Sequence, residues 1–401
     1  MRPDAIARLT TLRSGSQPNL VWLRIETADG ATGLGETYGS AEAVEAYVHA
    51  TAAPYLLGQR ATDIERHWWT LYEAWGPSGI GVESRALSMI DVGLWDLLAR
   101  RLDVPMVDLW GGAVRSSVPA YNTCGGPGYG RAAVVPGAPS AAPGRAADGY
   151  DDLYLQRHEP AELARSLLEM GFGAMKIWPF DAVAEERGTA RLDATGLHDG
   201  LSPFAAIRDA VGDRMEIALE LHSRWDLPSA VRIARAVEPY EPRWFEDPVR
   251  SDGVSALGEF AASTRIPTVA GENLGTFPAF RELIESTPVR IVMADPSYAG
   301  GISSVRRIAN LAGLHLRSFT THDASGPVNL AVGVQLGLHH ENAIAQEVVR
   351  AYYNGWYREM VTGLPELASG SFLPHDRTGH GVELMADVEG RADVSTQVST
   401  V

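Results

Sequence analysis

The sequence predicts an α/β protein in which a TIM-type barrel of parallel strands follows a smaller α+β module. The main observation is a series of five short apolar runs, each of which leads into an ionisable residue. These residues are Glu220, Glu246, Glu272, Asp295 and His322. By subtraction they are 26, 26, 23 and 27 residues apart, close to the roughly 30 residues that a strand, a helix and two loops occupy. Because parallel barrel strands end at one mouth, we expect the five side chains to meet there.

From about residue 117 onwards, apolar segments typical of strands alternate with amphipathic helical segments. We expect the barrel to occupy residues 116–350. Between its first two strands, residues 125–149 are rich in Gly, Ala and Pro. They predict a long loop that either covers the mouth or extends into solvent. The predicted strands lie near 118–121, 173–177, 215–220, 243–246, 267–270, 290–293, 315–319 and 343–347.

Residues 1–115 have the irregular mixture of strands and helices that is typical of an α+β module. Residues 20–27 alternate as a strand, and a turn at 28–30 precedes a second short strand. The pattern becomes helical from Ala41, and residues 84–102 carry apolar side chains at helical spacing. The final segment, 351–401, shows little periodicity beyond WYREMV, and we expect its end to be frayed.

The composition excludes several classes of partner. The 401 residues are 45% apolar and 21% charged, which is ordinary for a globular protein. A net charge of −16 argues against nucleic acid and anionic membranes, because both would repel the protein. The single cysteine, Cys124, excludes an internal disulfide and fits a reducing compartment. No signal peptide or membrane-spanning stretch is recognisable, so we expect a cytoplasmic protein.

Three of the charged strand ends carry glutamate, namely Glu220, Glu246 and Glu272. Three carboxylates converging at a barrel mouth would repel one another unless a cation lies between them. Oxygen ligands suit a hard ion, Mg²⁺ before Mn²⁺ or Ca²⁺. The alternative is that each glutamate begins a loop and faces solvent. The repetition at matching strand ends favours the metal site.

Two pairs of residues are spaced so that their side chains point the same way from a strand. Lys176 and Trp178 are two residues apart, as are Glu220 and His222. A lysine in an apolar strand needs an anionic partner, unless it extends past the strand end into water. The alternative for His222 is a neutral imidazole bonded to loop backbone.

The ends of the next strands suggest acid–base chemistry. Asp295 and His322 follow neighbouring strands, so a carboxylate–imidazole hydrogen bond between them is reasonable. Such a bond fixes the imidazole tautomer and raises its proton affinity, which suits a general base. A purely structural ion pair is the alternative. Glu347 ends the eighth strand and could bind a substrate oxygen. No nucleotide-binding loop or His-Glu-x-x-His zinc motif is present.

At the level of motifs, the chain resembles the enolase superfamily, in particular its mandelate racemase and muconate-lactonizing branch. The resemblance covers most of the chain. It implies a (β/α)7β barrel with an N-terminal capping domain that the C-terminal segment, 351–401, completes. The motifs are 33–36 (GLGE), 86–96 (ALSMIDVGLWD), 175–176 (MK), 244–248 (WFEDP), 271–273 (GEN), Asp295 and 300–302 (GGI).

The resemblance implies Mg²⁺-assisted removal of the proton next to a substrate carboxylate, with a Lys or His base. Racemase-like members carry Lys-x-Lys after the second strand, with the second lysine as a base. Here the motif is Lys176-Ile177-Trp178, and an indole cannot accept that proton. Glu220 also replaces the aspartate of many relatives. His222 resembles the histidine that acts as general acid in several acid-sugar dehydratases of this branch.

The expected function is therefore Mg²⁺-dependent dehydration of an acid sugar, an aldonate or aldarate, to a 2-keto-3-deoxy acid. His322, oriented by Asp295, would take the α-proton, and His222 would protonate the leaving 3-hydroxyl. Lys176 would share the substrate's charge, and Glu347 would hold a substrate oxygen. Epimerisation or cycloisomerisation through the same enediolate is one alternative, and acid-sugar binding without turnover is another.

Two further expectations concern recognition and assembly. The substrate's hydroxyl groups are expected to contact capping-domain loops and the second strand end, through Trp22, Tyr38 and Trp178. Homo-oligomers are usual among relatives, so a homo-oligomer is expected by analogy. The identity of the acid sugar does not follow from the sequence.

Overall fold

The computed structural model describes residues 2–74, 81–132, 146, 149–187 and 192–401. Its strands are β1 (Ile6–Ser14), β2 (Gln17–Thr27), β3 (Thr32–Tyr38), β4 (Val118–Thr123), β5 (Ala174–Ile177), β6 (Glu216–Glu220), β7 (Phe245–Glu246), β8 (Thr268–Ala270), β9 (Ile291–Ala294), β10 (Ser318–Thr321), β11 (Ala343–Val348), β12 (Val361–Thr362), β13 (Leu367–Ala368), β14 (Ser371–Phe372), β15 (Glu383–Leu384) and β16 (Val394–Thr400).

The α-helices are α1 (Ala41–Tyr47), α2 (Ala53–Leu56), α3 (Ile64–Glu73), α4 (Val82–Leu102), α5 (Asp152–His158), α6 (Pro160–Glu169), α7 (Phe180–Arg187), α8 (Ala194–Val211), α9 (Leu227–Val237), α10 (Val254–Ala262), α11 (Phe277–Ser286), α12 (Gly301–Leu314), α13 (Pro327–His339), α14 (Arg350–Tyr353) and α15 (Trp356–Met360). Short 3₁₀ turns lie at Met106–Trp110, Gly212–Arg214, Glu238–Tyr240 and Val388–Gly390, and a π-helical turn lies at Val48–Ala52.

Strands β4 to β11 form a closed parallel barrel. Each strand pairs with the next along the chain, and β11 returns to β4 with Glu347 opposite Tyr121. The barrel interior combines large side chains such as Tyr121 and Trp244 with small ones such as Ala174, Ala218 and Ala345. The filled interior leaves the strand ends as the place for charged groups. The predicted α/β barrel fold is confirmed.

The seventh predicted strand, 315–319, is displaced in the structure. Helix α12 continues to Leu314, and β10 begins only at Ser318. Between them Leu316 adopts a left-handed backbone (φ 54) and is 95% exposed. Its apolar side chain therefore belongs to a turn, which explains why hydrophobicity alone misplaced the strand.

The N-terminal region forms a second layer against the barrel, which we call the capping domain. Its antiparallel sheet has the order β16-β1-β2-β3, and the long helix α4 packs across β3. Gly33 and Gly35 permit this approach, because a Cβ atom at either position would overlap the α4 backbone. No helix in the described ranges is both long and apolar enough to cross a membrane.

The C-terminal segment completes the capping domain, as the fold prediction requires. Strand β16 pairs antiparallel with β1 over seven residues, from Val394 opposite Ser14 to Thr400 opposite Arg8. The expectation of a frayed end was wrong. The segment VSTQVST is mostly exposed, so its order comes from the backbone hydrogen bonds of the sheet. Hydrophobic periodicity does not report such an edge strand.

Candidate active site

The three predicted metal ligands converge at the ends of adjacent strands. Glu220 ends β6 and lies opposite Glu246, which ends β7, and Glu272 follows β8. One carboxylate oxygen from each lies within 4.8 Å of the others. All three side chains are buried, so the alternative of solvent-facing loop residues does not apply to them.

The electrostatics of this cluster fit a bound cation. Burial raises the pKa of Glu220 and of Glu272, and it raises the pKa of Glu246 to about 8. Within the described ranges Oε2 of Glu220 is buried and accepts no hydrogen bond, although the Lys176 ammonium lies 3.5 Å away. Buried acceptors without a partner are costly. An oxygen-only ligand set of this kind matches a hard divalent ion.

Lys176 lies inside the same cluster and does not extend into water. Its Nζ pairs with Oε1 of Glu246, with Oε1 of Glu347 at 2.8 Å and with Oε2 of Glu220 at 3.5 Å. Only 3% of the side chain is exposed. Burial alone would lower the pKa of Lys176, but Glu246 and Glu347 raise it well above its ordinary value. The lysine is therefore a fixed positive charge at the mouth.

Glu347 is held on three sides at the end of β11. It accepts hydrogen bonds from Thr123 Oγ1, from the Asp323 backbone N–H at 2.9 Å and from Lys176. Burial would raise the pKa of Glu347, but Lys176 and His322 lower it below its ordinary value. The carboxylate is thus kept ionised beside the lysine.

Asp295 and His322 form the predicted hydrogen bond. His322 Nδ1 lies 2.6 Å from Oδ2 of Asp295, which also accepts from Ser325 Oγ at 2.7 Å. The other oxygen of Asp295 accepts from the backbone N–H of Ser297 at 2.7 Å. Tyr298 OH approaches Nδ1 of His322 at 3.3 Å. With Nδ1 committed to Asp295, Nε2 remains for a substrate proton, and it lies 3.7 Å from Glu272.

A second histidine–aspartate pair lies across the mouth, and the sequence did not indicate it. His222 Nδ1 is 2.7 Å from Oδ2 of Asp181, which lies in the first turn of α7. Arg224 Nε reaches the same carboxylate oxygen at 3.2 Å. His222 is therefore paired with a carboxylate, and the alternative of a neutral imidazole on loop backbone does not hold.

The surrounding carboxylates give both histidines a high affinity for protons. Burial alone would lower the pKa of each imidazole. The negative charge of Glu272 and of neighbouring carboxylates raises the pKa of His322 well above its ordinary value. Because Glu272 is one of the three expected metal ligands, a bound cation would offset this charge and leave the His322 imidazole able to accept a proton. Asp181 is the main cause that raises the pKa of His222, to about 10.

Trp178 forms part of the wall beside His222. The rings of Trp178 and His222 meet edge to face with centroids 5.5 Å apart, and the Tyr129 ring packs against Trp178 with centroids 5.6 Å apart. Tyr129 belongs to the predicted long loop 125–149. Burial raises the pKa of Tyr129, and the negative charges of Asp181 and Glu272 raise it further.

The described start of the long loop is tied to the capping domain. The carbonyl of Gly130 accepts hydrogen bonds from Tyr38 OH and from Asn19 Nδ2, both at 2.8 Å. Tyr38 thus anchors the loop, and its predicted contact with substrate stays a prediction. Residues 133–145 and 147–148 of the loop lie outside the described residues.

Trp22 was predicted to contact substrate, and the structure does not support this. The indole is fully buried, and its Nε1 donates to Oε2 of Glu36 at 2.8 Å. Its only donor is therefore committed inside the capping domain. Neighbouring positions of a strand face opposite ways, and Trp22 lies on a face of β2 that is buried in the core.

Comparison with known proteins agrees with this architecture. Residues 2–111 match the family model of the mandelate racemase/muconate lactonizing enzyme N-terminal domain, and residues 159–388 match the enolase C-terminal domain-like model. The chain belongs to the enolase superfamily. More narrowly, the two matches assign it to the mandelate racemase and muconate-lactonizing branch of that superfamily.

Several solved structures superpose over nearly the whole chain. An enolase protein from Sargasso Sea environmental sequencing is 37% identical with a TM-score of 0.87, covering 99% of each chain. An enolase of the mandelate racemase subgroup from Agrobacterium tumefaciens is 37% identical with a TM-score of 0.86, again covering 99% of each chain. A protein from Salmonella enterica is 25% identical with a TM-score of 0.85, covering 98% of this chain and 99% of that one.

Sequence reasoning missed two residues at this superfamily site, Asp181 and Tyr129. Asp181 lies five residues after Lys176, just beyond the end of β5, so its position at a strand end was available as a signal. Tyr129 carried no signal of its own, because a tyrosine in a Gly-rich segment is compatible with any loop path.

Proposed function

We propose that the protein is a Mg²⁺-dependent dehydratase of an acid sugar, an aldonate or an aldarate. It would remove the proton α to the carboxylate and eliminate the 3-hydroxyl to give a 2-keto-3-deoxy acid. The observation that carries this proposal is the pair of histidine–aspartate dyads flanking one cluster of three glutamates.

The barrel geometry supports two different roles for the two histidines. His222 follows β6 and His322 follows β10. These strands are four apart in a closed ring of eight, so they lie on opposite sides of the mouth. A substrate bound between them would present its α-proton to one imidazole and its departing hydroxyl to the other. β-Elimination requires one base and one acid placed in this manner.

Glu220, Glu246 and Glu272 would hold Mg²⁺, and Mn²⁺ would fit the same ligands. The bound ion would stabilise the negative charge that develops on the substrate carboxylate. Lys176 would face the same charge with a fixed ammonium, which stabilises the enediolate more than the ground state. Glu347 would accept a hydrogen bond from a substrate hydroxyl while keeping Lys176 in place.

The protons balance over the reaction. His322 takes the α-proton on Nε2, while Asp295 fixes the tautomer at Nδ1. His222, held protonated by Asp181, gives its proton to the leaving hydroxyl, which departs as water. The resulting enol becomes a 2-keto acid when its C3 takes up a proton and its 2-hydroxyl releases one. His322 then loses its proton, and His222 regains one before the next turnover.

A further point of support comes from a structural neighbour. The Salmonella enterica protein that is 25% identical is named as a candidate dehydratase. The name describes that protein only and does not state a substrate. It agrees with the reaction class that the two dyads favour.

Epimerisation is the second candidate, because the two dyads place an imidazole on each side of the mouth. His222 could take a proton from the face opposite His322 and so replace the missing lysine base of the racemase-like motif. In that case the product has the mass of the substrate, whereas dehydration removes one water.

The decisive experiment is a screen of an acid-sugar library with Mg²⁺, monitored for 2-keto acid formation and for mass loss of one water. A 2-keto product from an aldonate or aldarate is the expected result. Deuterium incorporation at Cα without mass loss would instead favour epimerisation. Binding of Mg²⁺ and an acid sugar without any exchange would mean that the protein binds the ligand without turnover.

We also propose that the enzyme acts in the cytoplasm as a homo-oligomer. The lone Cys124 is buried and reduced, which suits a reducing compartment. The negative net charge gives no reason to expect nucleic acid or membrane partners. Light scattering after gel filtration measures the assembly state directly, and a monomer at working concentrations would contradict the oligomer.

A further inference from the structure

We propose that the capping domain positions the Asp295–His322 dyad by supplying N-terminal caps to two barrel helices. Asp91 caps α12 and Glu36 caps α13, so both act as positioning residues rather than catalytic ones. The proposal deepens the proposed function and rests on it for the role of His322 as base. The contacts themselves do not depend on that role.

The two barrel helices begin without a capping side chain of their own. The residue before α12 is Gly300 and the residue before α13 is Gly326, and a glycine has no side-chain oxygen to serve as a cap. The first backbone N–H groups of a helix need acceptors. By contrast, Asp226 caps α9 and Asp193 caps α8 from within the barrel, accepting from Ser229 N at 2.9 Å and Gly196 N at 2.7 Å.

Asp91, on capping-domain helix α4, supplies the missing acceptor for α12. Its Oδ2 accepts from the backbone N–H of Ser303 at 2.9 Å, and its Oδ1 accepts from Ser303 Oγ at 2.6 Å. Ser88, one turn earlier on α4, accepts from Gly300 N at 2.9 Å. A Cβ atom at Gly301 would clash with the Asp91 carboxylate, so the glycine leaves room for the cap.

Glu36, at the end of capping-domain strand β3, does the same for α13. Its Oε1 accepts from the backbone N–H of Asn329 at 2.9 Å, and its Oε2 accepts from Trp22 Nε1 at 2.8 Å. A Cβ atom at Gly326 would overlap this carboxylate. The Trp22 indole therefore fixes the position of Oε2 of Glu36 by hydrogen bonding.

Each capped helix follows a strand that leads directly into a residue of the dyad. Helix α13 follows the strand of His322, and Asn329, whose N–H binds Glu36, donates its side-chain Nδ2 to the carbonyl of His322 at 3.1 Å. Helix α12 follows the strand of Asp295. The capping domain also donates two hydrogen bonds to the loop between Asp295 and α12. Thr37 Oγ1 donates to the backbone carbonyl of Ser297, and Ser84 Oγ donates to the backbone carbonyl of Tyr298.

The chain offers a matched control for Glu36. Asp96 is also a buried carboxylate of the capping domain, and both of its oxygens accept from backbone donors, Leu34 N at 2.9 Å and His380 N at 3.0 Å. Its partners belong to the capping domain and the C-terminal segment, not to α12 or α13. The substitutions Glu36→Gln and Asp96→Asn each place an amide nitrogen against a group that can only donate.

The first measurement is hydrogen exchange of the full-length protein by mass spectrometry. We expect Glu36→Gln to speed amide exchange about tenfold in residues 326–331, and Asp91→Ala to do so in residues 300–305, since each opens the first turn of one helix. Asp96→Asn should leave both segments unchanged. Equal acceleration in the control, or no acceleration in Glu36→Gln, overturns the proposal.

The second measurement separates positioning from general destabilisation, with turnover measured well below the melting temperature of every variant. We expect Glu36→Gln to lower kcat about 10- to 100-fold, because small displacements of a base are costly, while KM and Mg²⁺ affinity stay within about twofold. Asn329→Ala should lower kcat similarly, although its backbone cap remains, and Asp96→Asn should not. An unchanged kcat in Glu36→Gln and Asn329→Ala contradicts positioning. If the unmodified protein turns over no acid sugar, the proposed function fails, while hydrogen exchange still decides the capping.

Discussion

The two histidine–aspartate pairs at the barrel mouth share one contact and differ in what surrounds it. In both, Nδ1 of the imidazole lies against a buried carboxylate oxygen, at 2.6 Å for His322–Asp295 and 2.7 Å for His222–Asp181. In both, the opposite nitrogen remains for substrate. The difference lies in the elements that carry the pairs and in the charge beside each aspartate.

The first pair is built on neighbouring strand ends. Asp295 directly follows β9 and His322 directly follows β10, and neutral donors such as Ser297 and Ser325 hold the carboxylate. The second pair joins a loop to a helix. His222 lies just beyond β6 with a left-handed backbone (φ 49), and Asp181 lies at the start of α7 beside the cationic Arg224.

This contrast suits different tasks. A base that attacks a weakly acidic carbon depends on precise placement, which strand ends and the capping domain provide. An acid that delivers a proton to a departing hydroxyl depends more on being protonated. The side chain of His222 is also the more open one, 23% exposed against 14% for His322. Under the proposed function, the first dyad would depend mainly on the placement of His322 and the second mainly on the protonation of His222.

The largest expected effect is that of His322→Asn. Without the imidazole the α-proton has no acceptor at that face, so kcat should fall about 10³- to 10⁴-fold. Exchange of the α-proton with solvent deuterium should disappear as well, whereas Mg²⁺ affinity measured by calorimetry should change little. Retained exchange would transfer the base role to His222 or Lys176.

His222→Asn separates the two candidate reactions. For a dehydratase we expect turnover to fall about 10²- to 10³-fold while α-proton exchange continues, because only the acid is lost. Mass spectrometry of the substrate in deuterated water measures both. For an epimerase, exchange into one stereoisomer would disappear and exchange into the other would continue. That result would reverse the order of the two proposals.

Much of the fold followed from the sequence because parallel strands are buried on both faces and read as compact apolar runs. The barrel strands and the helix at 84–102 were visible in this manner. Strand β1 and the edge strand β16 were not recognised, since β16 is mostly exposed and contains no periodic apolar face. The predicted strand 315–319 shows the opposite error, because the exposed apolar residue Leu316 lies in a turn and was assigned to a strand.

The candidate site divides in the same way. The sequence predicted that three glutamates would lie together, because each lies at or just after the end of a strand and the strand ends of a barrel meet at one mouth. These are Glu220, Glu246 and Glu272. Asp181 also lies near a strand end, which the sequence shows, but its pairing with His222 depends on the path of α7 and could not be predicted. Trp22 was misassigned because a position near a loop does not determine which face of the strand it occupies.

Asp295→Asn tests whether the first dyad depends on Asp295 to orient the His322 imidazole. The amide keeps the size of the side chain, but Oδ1 and Oδ2 of Asp295 both accept hydrogen bonds, so one donor must lose its partner. We expect kcat to fall about 100-fold because the imidazole loses its preferred tautomer and basicity. Steady-state kinetics measure the loss, and a change confined to KM would contradict a role in orienting the base.

Asp181→Asn should have the smallest effect at neutral pH, roughly tenfold or less, and a distinctive pH dependence. Asp181 is the main cause that raises the pKa of His222 to about 10, so the unmodified imidazole stays protonated below that pH. Removing the charge lowers this pKa, and the protonated acid is then lost at a lower pH. The ratio of variant to unmodified kcat should therefore decline as the pH rises from 6 to 9. Arg224→Met is the matched control, because it leaves the Asp181 charge in place and should keep the ratio flat. If the ratio for Asp181→Asn were also flat, the negative charge of Asp181 would not be what keeps His222 protonated.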